Sequence, residues 1–570
     1  MALTKAHNRM IEGAAVNVKD FGAKGDWDAV AQTGSDDTAA IQATFDYAAT
    51  KDYLNGGGVS VYFPAGSYKI TDTINIRSDS GLGISVVGEE RQLVALFSGV
   101  GAGNYLFDCN VEAPHFESLT IFGNLTGTLG GGGESDVIYL YTDDGAADVD
   151  VRFVECQSNY VGTFALIEGR GFSAIGCGFG HADEVLVIKS PDPWVRKGTT
   201  FIDDDTTGMR NYAFSSCRFD AVGVIVTTLD TGPAANYIHN VSIVGCNGTT
   251  VDRALSIGNY VTETYTAGAL YNSVISGCSF LYSFAGGMIS GWDAIGVTVS
   301  GNVIRKMYDP TLSPASSSDT IRTIFDMDHV VRDCKVVDNH IAPLTHAVVD
   351  CLGDVDNLVV ADNTFNNMFQ YPDTATNYMV RTGGNLNSVV IRANAIRCNA
   401  VLTQDSYYVD PSQDAREVSI SGNYSDIDFI RHVNSYSPKI VIAGDDSLCT
   451  YTLQNGQWFT DDEYVEVKVN VLISAISGSP SSSDVIKITV PVAAKSDPGT
   501  GTSYSGGSGD FEIVSGVSMT AGELIQGLNL YNGNTQAEIK VFTTSGMRNL
   551  TYSNISTSTQ LAFTLRYRYK

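Results

Sequence analysis

Basic residues are scarce in this 570-residue chain: 35 Lys and Arg stand against 63 Asp and Glu, for a formal charge of −28. A nucleic-acid binder must neutralise phosphates, and no Lys/Arg-rich run exists here to do so. The acidic balance instead suits a large solvated surface. No run of about 18 apolar residues occurs, so insertion of a helix into a membrane is not expected. The opening MALTKAHNRM lacks the apolar core of a signal peptide, which predicts synthesis in a cytoplasm without an export leader. The ten Cys form no CxxC pair and the eight His no HxH or HExxH, so neither a disulfide framework nor a zinc site is expected. The glycines at Gly130–Gly133 lead into no Gly-Lys-Ser/Thr, and no phosphate cradle or cofactor is predicted.

What the chain has in quantity is Gly (58), Tyr (28) and Phe (24), a balance that favours strands and turns over long helices. From Val149 to about Val441 one phrase recurs: FVECQS, AIGCGF, FSSCRF, IVGCNG, ISGCSF, VSGNVI, VVDNHI, VADNTF, IRANAI, SISGNY. Alternating β-formers lead each time into one Cys or Asn, at Cys156, Cys177, Cys217, Cys246, Cys278, Asn302, Asn339, Asn363, Asn394 and Asn423. The intervals are 21, 40, 29, 32, 24, 37, 24, 31 and 29 residues. The shortest leaves room for three strands of about five residues with turns, and the longer ones add loops. Such a period predicts a solenoid in which like residues stack, an Asn amide on the next Asn and a Cys on the next Cys. Asn124 and Gly88 are read as upstream members, so that the solenoid starts near Ile84 and carries about twelve coils.

Ahead of the repeat, Ser35 and Asp36 are placed to cap a helix that puts Ile41, Phe45, Ala48 and Ala49 on one face. GGGVSVYFPAGSYKI then reads as a Gly turn, a strand, a Pro-Gly turn and a second strand. The run VNVKDFGAKGD, DDTAAIQATFDYA and GGGVSVYFPAGSYKI resembles the N-terminal signature of pectate-lyase-like right-handed β-helix proteins, in particular phage tailspike capsule depolymerases. The resemblance covers residues 16–90 closely and 91–442 through the style of the repeat. It implies an all-β chain: a right-handed parallel β-helix with a short capping helix and a C-terminal β-sandwich. The expected divisions are a lead-in at 1–20, a cap at 21–83, the β-helix at 84–447 and the sandwich at 448–570. Alternating strands such as YVEVKVNVLISAI and QLAFTLRYRYK support the sandwich.

The family implies a bacterial capsular polysaccharide as substrate, a homotrimer, and residence on the virion tail. The 20-residue lead-in is too short for a head-anchoring domain, so another phage tail protein is expected as adaptor.

Chemistry should sit where carboxylates align across coils. In DEVLVI, DAVGVI and DRALSI, with Ile188, Ile225 and Ile257 read as inward, counting five back gives Asp183, Asp220 and Asp252 in one outward register. Stacked like charges raise some pKa values, which an acid/base pair requires. The layout GFGHADEVLVI also resembles the polygalacturonase pattern N-x-x-F-x-T-G-D-D-x-V-A-I, with Asp183 and Glu184 at the paired aspartates and His181 in place of the Thr-Gly. The candidate catalytic set is therefore Asp183, Glu184, Asp220, Asp252 and Glu263. Residues suited to sugar stacking and polar contact are Trp194, Arg196, Asp204, Arg253, Tyr260, Trp292 and Asp293. Hydrolysis is the leading reaction. The alternatives are β-elimination on a uronic-acid polymer, drawing on Arg253, Lys189, Arg196, Tyr260 and His239, and a non-catalytic glycan-binding spike.

Overall fold

A computed structural model describes residues 15–568 apart from 51–58, 78–82, 129–133, 142–147, 190–194, 197–198, 201–208, 230–235, 258–267, 282–286, 306–320, 343, 367–376, 398–405, 410–414, 417, 426–428, 431–433, 462–463, 492–507, 522 and 531–535. The chain divides into two compact units, residues 1–385, 393–404 and 424–427 in the first and 386–392, 405–423 and 428–570 in the second.

The repeated phrase does what its periodicity implies. Each short run forms a strand whose neighbour is the equivalent run of the next coil, in parallel register, and the strands join one long parallel sheet. Parallel crossovers of this kind are right-handed, and the architecture is a right-handed parallel β-helix. The Cys/Asn ladder is continuous inside the first unit. Asn302 Nδ2 donates to Asn339 Oδ1 at 3.0 Å, Asn339 Nδ2 to Asn363 Oδ1 at 3.0 Å, and Asn363 Nδ2 to Asn394 Oδ1 at 2.9 Å. Each of these amides also donates to a backbone carbonyl of the preceding coil, as Asn339 does to Val299 at 2.9 Å. The ladder cysteines are buried free thiols.

Two expectations shift. Upstream of Cys156 the ladder position belongs to Leu119, whose carbonyl accepts the Gln157 N–H as the Cys156 carbonyl accepts that of Gly178. Asn124 instead closes a local turn, accepting from Gly127 N at 2.8 Å and Thr126 Oγ1 at 3.0 Å. The solenoid also starts earlier than Ile84: Val59–Phe63, Gly66–Ile70 and Ile74–Arg77 already form its first coil, paired in register with Ile84–Gly88, Val94–Ser98 and Tyr105–Asn110.

Helix α1 (Thr38–Ala49) buries Ile41, Thr44, Phe45 and Ala48, and Phe45 lies 6.5 Å from Phe107 of the second coil. Asp36 accepts from the Thr38 N–H at 3.0 Å. Asp37, fully buried, instead receives the Lys24 and Gly25 N–H groups.

The second unit contains two antiparallel five-stranded sheets that share one apolar core, including Val465, Val467, Val469, Ile486, Ile488, Ile539, Val541 and Phe563. This is the β-sandwich that the alternating C-terminal strands imply.

Candidate functional site

One column of the β-helix holds several of the candidate residues. Its strands are β1 (Ile74–Arg77), β2 (Tyr105–Asn110), β3 (Asp136–Tyr141), β4 (Gln157–Ile167), β5 (Gly178–Lys189), β6 (Arg218–Leu229), β7 (Asn247–Ser256), β8 (Gly287–Ile295) and β9 (Ile321–Arg332). Strict alternation holds in β1 but fails in the strands that follow. Leu106 with Phe107, Val137 with Ile138, Phe164 with Ala165, and Val185 with Leu186 are adjacent and all essentially fully buried. Phe107 packs on Phe45 and Phe116, and Phe164 on Phe153 and Phe179, so these residues belong to the core.

Two successive inward residues bend the strand. The residues flanking each pair, three apart in sequence, line two rows along the stack; Tyr105, Asp136, Tyr139, Thr163 and Glu184 at the upstream rungs are half-buried and form a groove, whereas Val187, Val224, Thr227, Ser256 and Ser290 further along are buried. One row runs Tyr105, Asp136, Thr163, Glu184, Val224, Arg253 in register. The other runs Tyr139, Leu166, Val187, Thr227, Ser256, Ser290, Asp326.

At the upstream end of this groove carboxyl groups gather. Thr163 bridges two of them: its N–H donates to Asp136 Oδ1 at 2.7 Å and its hydroxyl to Glu184 Oε2 at 3.1 Å. A Cβ on Gly162 would stand 2.6 Å from Asp136 Oδ1, so any larger residue would push that carboxylate aside. Ala182 and Val185 point inward, so both residues between them, Asp183 and Glu184, lie outside, Asp183 exposed and Glu184 half-buried.

Burial pushes the Glu184 carboxyl above its ordinary range; the Thr163 hydroxyl opposes this, and the charges of Asp136 and Asp183 add to it. Asp136 is raised by burial too, against the Thr163 N–H and with the charge of Asp183. A carboxyl held protonated beside an ionised one is what general acid/base work needs.

Tyrosines line the same end. The rings of Tyr105 and Tyr139 are 5.3 Å apart and those of Tyr139 and Tyr141 4.9 Å. Burial, then the charges of Asp136, Glu184 and Glu168, push Tyr105 to about 12, so it is a neutral hydrogen-bonding phenol. Tyr139 donates to Glu168 at 2.6 Å, and Glu168 is ion-paired with Lys189. Arg77 pairs with Asp108 at 3.1 Å and lies 5.6 Å over the ring of Tyr141.

The candidate residues read from the sequence separate into groups. Asp183, Glu184, Asp252 and Arg253 come together on the groove strands. Asp183 and Asp252 share a register two rungs apart, both opposite Gly223, which puts them roughly 10 Å apart. Burial raises the Asp252 carboxyl while Arg253 opposes it.

Asp220 does not join this row. It pairs with Gly180 and Thr249, three residues earlier in the coil, and contacts Arg218 at 3.4 Å. The cause is that Ile188 lies opposite Thr228, not Ile225, so counting back from Ile225 lands in the wrong register.

Trp292 and Asp293 sit one bend further along β8, opposite Ala269 and Val330 for Asp293; there Trp292 stacks on His329 at 5.2 Å and Asp293 contacts His329 Nδ1 at 2.8 Å. His239 stacks on Tyr271 on another strand column. Arg196 belongs to a two-residue strand, Val195–Arg196, antiparallel to Thr199–Thr200. Trp194, Asp204, Tyr260 and Glu263 lie outside the described residues.

Asp136, Tyr105, Tyr139 and Thr163 were not singled out from sequence. The available signal was DVIYLY, in which Asp136 stands three residues before Tyr139 and five before Tyr141, but it precedes the repeated phrase that served as a ruler.

Residues 15–115 match the family model described as rhamnogalacturonase A/epimerase, pectate lyase-like. Depolymerase 1, capsule K3-specific, of Klebsiella phage KP32 is 31% identical over 123 residues, 22% of this chain and 13% of that protein. Mannuronan C5-epimerase AlgE1 of Azotobacter vinelandii is 47% identical over 66 residues, 12% of this chain and 4% of that protein. The chain therefore spans a small part of the length of these relatives. Among solved structures, the Dettilon tailspike protein aligns over 98% of this chain and 94% of its own, at 13% identity and a TM-score of 0.45.

Proposed function

We propose that this chain binds and depolymerises a bacterial capsular polysaccharide in the groove of its β-helix by glycosidic hydrolysis, as a tailspike on a phage virion. The observation that carries the proposal is the joining of Asp136 and Glu184 through Thr163, with Asp183 beside them and a tyrosine platform alongside. The similarity over 123 residues to a capsule-specific depolymerase supports the substrate class.

Glu184, raised by burial, is the general acid that protonates the leaving oxygen. Asp136 or Asp183 is the base that activates water. Two carboxylates that contact one intervening threonine suit the wider separation of an inverting pair, about 6.5–9.5 Å, better than the roughly 5 Å of a retaining pair. Tyr105, Tyr139 and Tyr141 offer π faces to the C–H faces of sugar rings. Arg253, in the same row two rungs from Glu184, contacts the chain further along. A homotrimer and an adaptor tail protein complete the proposal for partners.

The test is product analysis on a panel of capsular polysaccharides, reading masses and anomeric configuration. New reducing ends with inverted configuration are expected. Unsaturated products absorbing in the ultraviolet would instead establish the second reading, β-elimination on a uronic-acid polymer. That reading draws on Arg253 in the groove and on the short match to an epimerase that acts on a mannuronan. Binding without shortened chains would leave a non-catalytic spike.

A further inference from the structure

One bend beyond the groove column, strands β8 and β9 bring a second pair of rings to the surface. Trp292 and His329 lie on successive rungs, their centroids 5.2 Å apart and their planes 17° from parallel. Strand β10 (Leu344–Cys351) pairs with β9 in turn, and Leu352 at its end occupies the rung after His329, donating its N–H to the Met327 carbonyl. This corner is open to solvent. The His329 side chain is 55% exposed and Leu352 63%, and Trp292 is half-buried. The rung beyond Leu352 carries Gly383 and Gly384, which have no side chain to cover it; a Cβ on Gly383 would stand 2.2 Å from the Leu352 carbonyl oxygen.

The corner is also built. Gly291 lies opposite Met327 but Asp293 opposite Val330, so β9 holds one residue more than β8 and Trp292 faces both Asp328 and His329. Such a bulge re-aims a side chain, and here it turns His329 outward between the buried Met327 and Val330. Asp293 Oδ1 stands 2.8 Å from His329 Nδ1. A carboxylate there accepts the Nδ1 proton and fixes the ring, which leaves Nε2 of the neutral imidazole as an acceptor on the exposed edge.

We propose that Trp292, His329 and Leu352 form a subsite that holds an uncharged pyranose of the polysaccharide away from the point of cleavage. The ridge offers π and apolar surface to the C–H face of the sugar, and His329 Nε2 and the Asp293 carboxylate accept from its hydroxyls. The charges of Asp293 and Asp328 disfavour an anionic sugar. Gly287 continues the row of Glu184 and Arg253, three rungs from Glu184, and Trp292 lies five residues further along β8. The ridge is therefore about 14 Å along the stack and about 16 Å around the coil from the acid cluster. It rests on the polysaccharide reading of the groove, and it adds where the polymer runs beyond that cluster and which sugar it presents there.

The full-length native chain, Trp292→Ala, Trp292→Phe and His329→Ala are compared on purified capsular polysaccharides that contain a neutral pyranose, and on the shortest fragment of them that the native chain still binds. Trp292→Ala and His329→Ala should raise KM on the polymer about tenfold with kcat within about twofold, and leave the short fragment unaffected. Trp292→Phe, which keeps a ring, should recover most of that loss. The emission of Trp292, taken as the difference between the native and Trp292→Phe spectra, should change saturably with polymer and not with the short fragment.

Polymer KM within twofold of native in both alanine variants, while the native chain shortens the polymer, overturns the subsite and leaves the hydrolytic reading standing. Equal losses on polymer and short fragment overturn it as well, since the ridge would then act at the cleavage point or through the fold. So does a Trp292 emission that changes with protein concentration in the absence of polysaccharide, which makes the ridge a contact between copies of the chain. Native binding without shortening overturns the hydrolytic reading alone, and the same comparison made on Kd decides the subsite; a native chain that binds no polymer overturns both.

Discussion

Glu184→Gln is the substitution that separates a catalytic carboxylate from a structural one. Gln keeps the shape and can still accept the Thr163 hydroxyl bond, which is 3.1 Å long in the native protein. What it removes is the titratable proton. Loss of a general acid lowers kcat by about 10²–10⁴, or about 2.7–5.5 kcal/mol on the barrier. Stability should move the other way. Burial and the neighbouring charges of Asp136 and Asp183 raise the folded-state pKa of Glu184, so the folded chain holds this proton more tightly than the unfolded chain does. Ionised Glu184 therefore costs stability, and the cost appears as pH rises from the unfolded value of about 4.5 through the raised folded value. At pH 7 the Gln variant should melt at the same temperature as the native chain or higher, and the difference should vanish below pH 4. The assays are reducing-end release and calorimetric melting across pH 3–8. A variant that keeps more than a tenth of the native kcat, or that melts lower at pH 7, refutes the assignment.

Asp183→Asn should lower the pKa of Glu184 by removing a neighbouring charge, moving the basic limb of the pH–rate profile to lower pH, whereas Asp220→Asn should leave the profile in place. Gly162→Ala should displace the Asp136 carboxylate and lower kcat without altering far-ultraviolet dichroism, since its Cβ would stand 2.6 Å from Asp136 Oδ1. Asn339→Leu removes donors to Val299 O, Val337 O and Asn363 Oδ1 and an acceptor for Asn302; denaturant unfolding should show a loss of about 3–5 kcal/mol. In the sandwich, Arg548 and the Thr520 N–H hold Glu523 at about 2, so that stability from this pair is present above pH 4.5 and lost as pH falls toward 2; Glu523→Gln should flatten that part of a melting-temperature curve.

The sequence by itself determined the solenoid. A stacked column demands the same residue type at each rung, because an Asn amide is satisfied only by the Asn of the next coil, and that demand is visible as a period. Cys156 through Asn394 were legible for this reason, as were the buried face of α1 and the alternation of the C-terminal strands. The ladder could not be followed above Cys156, where Leu119 meets the same packing demand without the same side chain. Asp183 and Asp252 were legible because they stand five residues before Ile188 and Ile257, and Glu184 because GFGHADEVLVI resembles the polygalacturonase pattern.

Which carboxylates share the groove was decided only by the tertiary structure. The bend created by two successive inward residues shifts the apparent register, so Asp220 leaves the row that simple counting gave it. The same bend turns residues three apart toward each other, and it brings Asp136, from a coil with no recognisable phrase, to Glu184 through Thr163. Strand alternation is a local rule that can be read along a chain. The meeting of two walls of a groove depends on the angle between neighbouring segments, and no single segment encodes it.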